Sequence, residues 1–90
     1  MTHLFIKHKV EDYDRWKTSF DSALDFRISH GEIESQVYRD PDDPNDITVI
    51  SKFIDLDDAK EFAGLSELKE KMTEYGVVEE PTVIFLEEAA

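Results

Sequence analysis

The chain has 90 residues, 22 of them acidic against 10 basic, for a formal charge of −12, and it contains no cysteine. That leaves no disulfide or thiolate metal site and argues against DNA, RNA or an anionic membrane as partner, because phosphate binding runs on clustered Lys and Arg. The length suits one small domain over residues 1–90. No apolar run reaches the roughly 18 residues of a membrane helix. The opening MTHLFIKHKV alternates and carries no cleavage-site signature, so the expected location is the cytoplasm.

Residues 3–10, HLFIKHKV, read as a strand with Leu4, Ile6, His8 and Val10 on one face and His3, Phe5, Lys7 and Lys9 on the other. The segment EDYDRWKTSFDSALDFRISHG then reads as one helix, capped by Glu11 or Asp12, with Asp14 in its first turn. Its apolar stripe is Tyr13, Trp16, Phe20, Ala23, Leu24 and Ile28, and Gly31 suits the left-handed residue that ends it.

Residues 32–39, EIESQVYR, form the second expected strand, and 47–53, ITVISKF, the third. Asp55 caps a short helix that carries Ala59, Phe62 and Ala63 and breaks at Gly64. Ser66 is expected to cap the next turns, with Leu68, Met72 and Tyr75 as their apolar side, closed by Gly76. The last strand is 81–88, PTVIFLEE, where Pro81 at the start costs no interior ladder bond.

The order β-α-β-β-α-β, with the second helix in two pieces, predicts a ferredoxin-like α+β plait: a four-stranded antiparallel sheet with helices on one face. The other face is not cleanly polar. Phe5, Ile50, Ile54 and Tyr38 stand against Ile6, Val49, Phe53 and Val37 whichever parity is chosen. A second sheet from a symmetric homodimer is the economical cover.

The stretches KHKVEDYDRWKTSFD, VYRDPDDPNDITVISKFIDLDDAKEF, LSELKEKMTEYGV and PTVIFLEE resemble the dimeric α/β-barrel superfamily. The likeness is to its small cyclase-like members, related to the antibiotic-biosynthesis monooxygenases. It implies two plaits joined sheet to sheet and a pocket in each subunit between sheet and helices. Some members oxidise polyaromatic substrates without metal or flavin; others cyclise, degrade haem or muconolactone, or have no known activity. Fold alone does not choose among these.

His8 falls in phase with the apolar face, where a titratable group is either a general acid/base or a histidine bonded to a neighbour. The resemblance adds that this strand end lines the pocket in similar proteins. Arg27, at about 100° per residue, projects near the azimuth of Trp16 and Phe20. A charge there needs a partner or a carboxylate ligand, or else snorkels at the helix end. Trp16, Tyr13 and Phe20 form an aromatic wall or simply core. Tyr38 is expected to donate a proton or line the barrel, and Arg39 to pair with the acidic loop beside it. Phe26 falls off the stripe, where an aromatic is either a chance exposure or an interface contact; the interface is the expectation.

His3, His8 and His30 do not space as a metal triad, so no metal is expected. No phosphate loop or nucleophile elbow occurs, and no cofactor is expected. The loop RDPDDPND, residues 39–46, fails as a calcium loop: Pro44 stands at its fifth position, Asn45 at its sixth and Ser51 at its twelfth. As a hairpin turn with Asx caps it fits well.

The expectation is therefore a homodimer with a small-molecule pocket, acting as a cofactor-independent monooxygenase or cyclase on an aromatic or polyketide-like molecule. His8 would be the acid/base, Arg27 would orient the ligand, and Trp16 and Tyr38 would line the site. The alternatives are a non-catalytic ligand-binding module and a structural dimer. A void beside His8 and Arg27 smaller than a few waters would leave no place for a ligand.

Overall fold

The computed structural model describes residues 1–89. Its elements run β1 (Thr2–Lys9), α1 (Tyr13–Ser22), α2 (Leu24–Ser29), β2 (Glu34–Arg39), β3 (Asp46–Phe53), α3 (Leu56–Ala63), α4 (Ser66–Glu74) and β4 (Thr82–Glu87). The four strands pair antiparallel in the order β2-β3-β1-β4. This is the ferredoxin-like α+β plait with the helices on one face.

The phase of β1 is the expected one. Thr2, Leu4, Ile6 and His8 are buried, and Phe5 and Lys7 turn the other way. Opposite them, Ile47, Val49, Ser51 and Phe53 of β3 are buried in strict alternation. Two clusters cover this face. Leu4, Ile6, Phe53, Ala59 and Phe62 pack under α3 and α4. Val10, Trp16, Ile47 and Val49 pack under α1.

Local chemistry sets most boundaries. Asp12 caps α1, its carboxylate accepting from the Asp14 N–H at 3.2 Å, and Asp55 caps α3 by accepting from the Asp58 N–H at 2.9 Å. Gly31 and Gly76 have φ of +102° and +88°, the left-handed conformation that favours glycine after a helix. Ser66 does not cap the last helix. It is the first helical residue, and Leu65 stands at the cap without a side-chain bond.

The long first helix is broken at Ala23. There the Ser22 hydroxyl bonds back to the Ser19 carbonyl, and the Phe20 carbonyl is taken by the Ala23 N–H and the Arg27 guanidinium. The break ends the expected stripe: Leu24 and Ile28 are exposed, Ile28 by 54%. Phe26 and Arg27 turn inward instead. Phe26 is partly buried rather than fully exposed. Its ring packs 6.1 Å from Phe62 and 4.8 Å from His30.

The acidic loop is a hairpin. Asp40 Oδ1 accepts from the N–H groups of Asp42 and Asp43, and Asp43 Oδ1 accepts from Asn45 N–H at 3.0 Å. Asn45 Oδ1 also accepts from Tyr13 N–H, tying the loop to the start of α1. Arg39 donates to the Pro44 carbonyl at 3.1 Å and stacks on the Tyr13 ring at 3.7 Å, in place of the expected carboxylate pair.

Candidate active site

At the seam between the two core clusters lies a cavity of about 50 Å³ with mostly apolar walls. A water needs roughly 10–15 Å³ of such space, so there is room for a few waters. His8, Trp16, Phe20, Phe26, Arg27 and Met72 are among its lining residues. The structure thus brings His8, Trp16 and Arg27 to one cavity.

Tyr38 is not with them. It lies on the opposite face of the sheet, level with Thr48 and Lys7, and is half exposed. Strand alternation decides this: Val37 turns toward the helices, so Tyr38 turns away. The tyrosine that lines the cavity is Tyr75, at the C-terminal end of α4.

β1 holds His8 opposite Ile47. The side chain is 4% exposed, and neither ring nitrogen has a hydrogen-bond partner among the described residues. The Trp16 ring meets it edge-on at 5.7 Å, and Phe20 stacks on Trp16 at 4.8 Å. Burial disfavours the imidazolium and lowers the His8 pKa to about 4, against a weaker opposing pull from Asp46. At neutral pH His8 is therefore a neutral imidazole with two unmet hydrogen-bonding positions.

Arg27 is only 7% exposed and is neither snorkelling nor unpaired. Its Nε donates to Glu32 Oε2 at 2.8 Å, and Nη1 donates to the Phe20 carbonyl. The guanidinium lies over the Phe20 ring at 3.7 Å. Glu32 in turn accepts from the Ser51 hydroxyl at 2.7 Å. This buried chain ties α2 to β3 and largely cancels the Arg27 charge. Nη2 makes no hydrogen bond among the described residues.

Glu32 was expected in the second strand. In the structure β2 begins at Glu34, and the turn at Gly31 directs the Glu32 carboxylate inward. Its position after the helix-ending glycine, five residues from Arg27, is the one sequence signal for this pair. Lys71 adds a cation at the cavity rim, its Nζ 4.8 Å above the Phe26 ring. No group of three or more His, Asp or Glu side chains placed to hold a metal ion occurs among the described residues.

No protein-family model matches this sequence, and no curated protein matches it. Solved structures do. One is a provisionally assigned antibiotic biosynthesis monooxygenase from Bordetella bronchiseptica, with a TM-score of 0.83 at 13% identity, covering 99% of this chain and 97% of that one. SnoaB from Streptomyces nogalater, a cofactor-independent oxygenase, superposes with a TM-score of 0.77 at 12% identity over 99% of this chain and 93% of its own. A conserved protein from Methanosarcina mazei Go1 gives 0.75 at 15% identity over 98% and 92%. Along almost its whole length, then, this chain has the ferredoxin-like fold of the antibiotic-biosynthesis-monooxygenase structures.

Proposed function

We propose that the protein is a cofactor-independent monooxygenase or cyclase-like enzyme acting, as a homodimer, on a small aromatic or polyketide-like molecule. One observation carries this reading: a buried imidazole with no partner faces an apolar cavity beside Trp16. A buried polar group without a bond costs about 1–3 kcal/mol, and such a cost is kept where it serves a ligand.

Neutral His8 accepts a proton and does not supply one. A phenol or enol hydroxyl entering the cavity donates to a ring nitrogen and then transfers its proton to it. The anion left behind stabilises the imidazolium in the dry site. The free Nη2 of Arg27 is the donor for a developing oxyanion. Loss of the proton makes the ring electron-rich enough to reduce dioxygen directly, which is what an oxygenase without a cofactor requires.

Two observations support the homodimer. The open face of the sheet carries a cross-strand apolar row, Ile50–Phe5–Ile84, with Lys52, Lys7 and Lys9 around it. Beside it, β4 is exposed on both faces. An apolar centre with a charged rim is the pattern of an interface. Solution mass should be twice 10.5 kDa, and Ile84→Glu should halve it.

Oxygen uptake with a panel of naphthols and hydroquinones tests the chemistry. His8→Ala should abolish uptake and leave the melting temperature unchanged or raised. Uptake that survives the substitution, or a loss of stability matching the loss of activity, would refute the role of His8. The Arg27–Glu32 pair favours a second reading, a non-catalytic binding module, because the buried Arg27 cation is already neutralised. In that case the same probes bind without turnover.

A further inference from the structure

The 50 Å³ cavity is smaller than the aromatic molecules proposed for it, since ligand sites usually run to about 300 Å³ or more. A second hollow lies next to it. Between α4 and β4 runs a groove of about 690 Å³, lined by Leu65, Met72, Val77, Pro81 and Val83 among others. Ile6, Leu68 and Met72 line both spaces. These three side chains are the wall between them.

Ile6 is fixed in the central strand β1 and is buried. Leu68 and Met72 sit one turn apart on α4, a helix with no buried residue and no side-chain cap. Both are only partly buried. Methionine is unbranched with three rotatable bonds, so its tip can leave without moving the backbone. The groove behind it provides the space to receive it.

We infer that Met72, with Leu68, is a movable partition that sets the size of the ring system the site admits. This rests on the proposed ligand site at His8. A single hydroxylated ring inserts its edge toward His8 with the partition closed. A flat ligand of three fused rings displaces the Met72 tip and lies across the cavity into the groove, against Val83. The part of the ligand in the cavity is neutral as well as flat, because the cavity walls are apolar and Glu32 cancels Arg27, while the groove, which Lys69, Glu79 and Glu80 also line, admits polar substituents.

The chain holds one tryptophan, Trp16 in the cavity wall, and two methionines, Met1 and Met72, so two reporters are unambiguous. Phenol and 2-hydroxyanthraquinone are titrated while the Trp16 indole N–H and the Met72 methyl are followed by NMR. Phenol should shift Trp16 alone, and the three-ring probe should shift both. Val83→Trp, which fills the groove from the sheet side, should weaken the three-ring probe by about tenfold and spare phenol; Met72→Ala should tighten it by about as much. If the three-ring probe shifts Trp16 with the Met72 methyl still and both variants without effect, the partition is refuted and the site at His8 stands. If neither probe shifts Trp16 in the native chain or in Met72→Ala, the His8 site and the partition fall together.

Discussion

Strands β3 and β4 make an instructive pair. β3, DITVISKF, mixes polar and apolar residues, yet every second side chain is buried and Ile47 and Phe53 are wholly so. β4, TVIFLE, is the more apolar of the two, and all six residues are exposed. Val83, Ile84, Phe85 and Leu86 keep between 37% and 44% of their surface in contact with solvent. The difference lies in position. β3 is central, under α1 and α3. β4 is an edge strand that α4 does not reach, which is why the groove exists. Apolar residues on both faces of an edge strand are a liability unless covered. β3 thus stabilises the single chain, while β4 leaves its apolar side chains uncovered in it.

Substitutions can break this contrast. The largest effect is expected at Phe53→Ala, which empties the centre of the core under α3 and should cost about 3–5 kcal/mol in denaturant unfolding. A loss below 1 kcal/mol would mean the β3 side is not the stabilising one.

Next comes the buried pair. Glu32→Ala strands the Arg27 guanidinium and should cost about 3 kcal/mol, while the double change Arg27→Met with Glu32→Leu should recover most of it. A double variant as unstable as the single one would mean that the Ser51–Glu32–Arg27 chain contributes beyond charge compensation.

The third effect depends on pH. His8 has a pKa near 4 in the fold against 6.5 in the unfolded chain, so between those values the unfolded chain binds the proton and the folded one does not. Stability contributed by neutral His8 is complete above pH 6.5 and is lost as pH falls toward 4, at up to about 1.4 kcal/mol per unit. His8→Leu should flatten the pH dependence over that window when its unfolding is compared with the native chain. An unchanged slope would place the titration on other groups.

The smallest effect on the isolated chain is expected at β4. Leu86→Ser in dilute solution should cost less than about 1 kcal/mol, because the side chain stands on the open face and is already in part exposed. The same variant should lose more as protein concentration rises, if a partner covers the strand. A cost equal to that of Phe53→Ala at every concentration would show that β3 and β4 are alike after all.

The parts legible in the sequence were those set by near neighbours. Alternation in residues 3–10 placed His8 on the inner face, and Asp12, Asp55, Gly31 and Gly76 marked helix ends that the structure keeps. Trp16 and Arg27 were found because helical spacing put them on one side. The break at Ala23 was missed, since it depends on the Arg27 side chain competing for the Phe20 carbonyl. That single break moved Leu24 and Ile28 out and Phe26 in. Tyr38 shares the open face with Phe5, as the alternation indicated, so it does not reach the cavity that holds His8.

By itself the sequence determined the order of elements and the face that His8 occupies, because both depend on interactions within four residues along the chain or on the period of two in a strand. Only the tertiary structure decided that Glu32 joins Arg27 to Ser51, that a small cavity remains at the seam of two clusters, and that Leu68 and Met72 line both it and a larger groove. Those depend on how helices settle on the sheet, where packing of groups distant in sequence sets the outcome. The exposed β4 belongs to the same class: its composition is local, but its lack of cover follows from where α4 comes to rest.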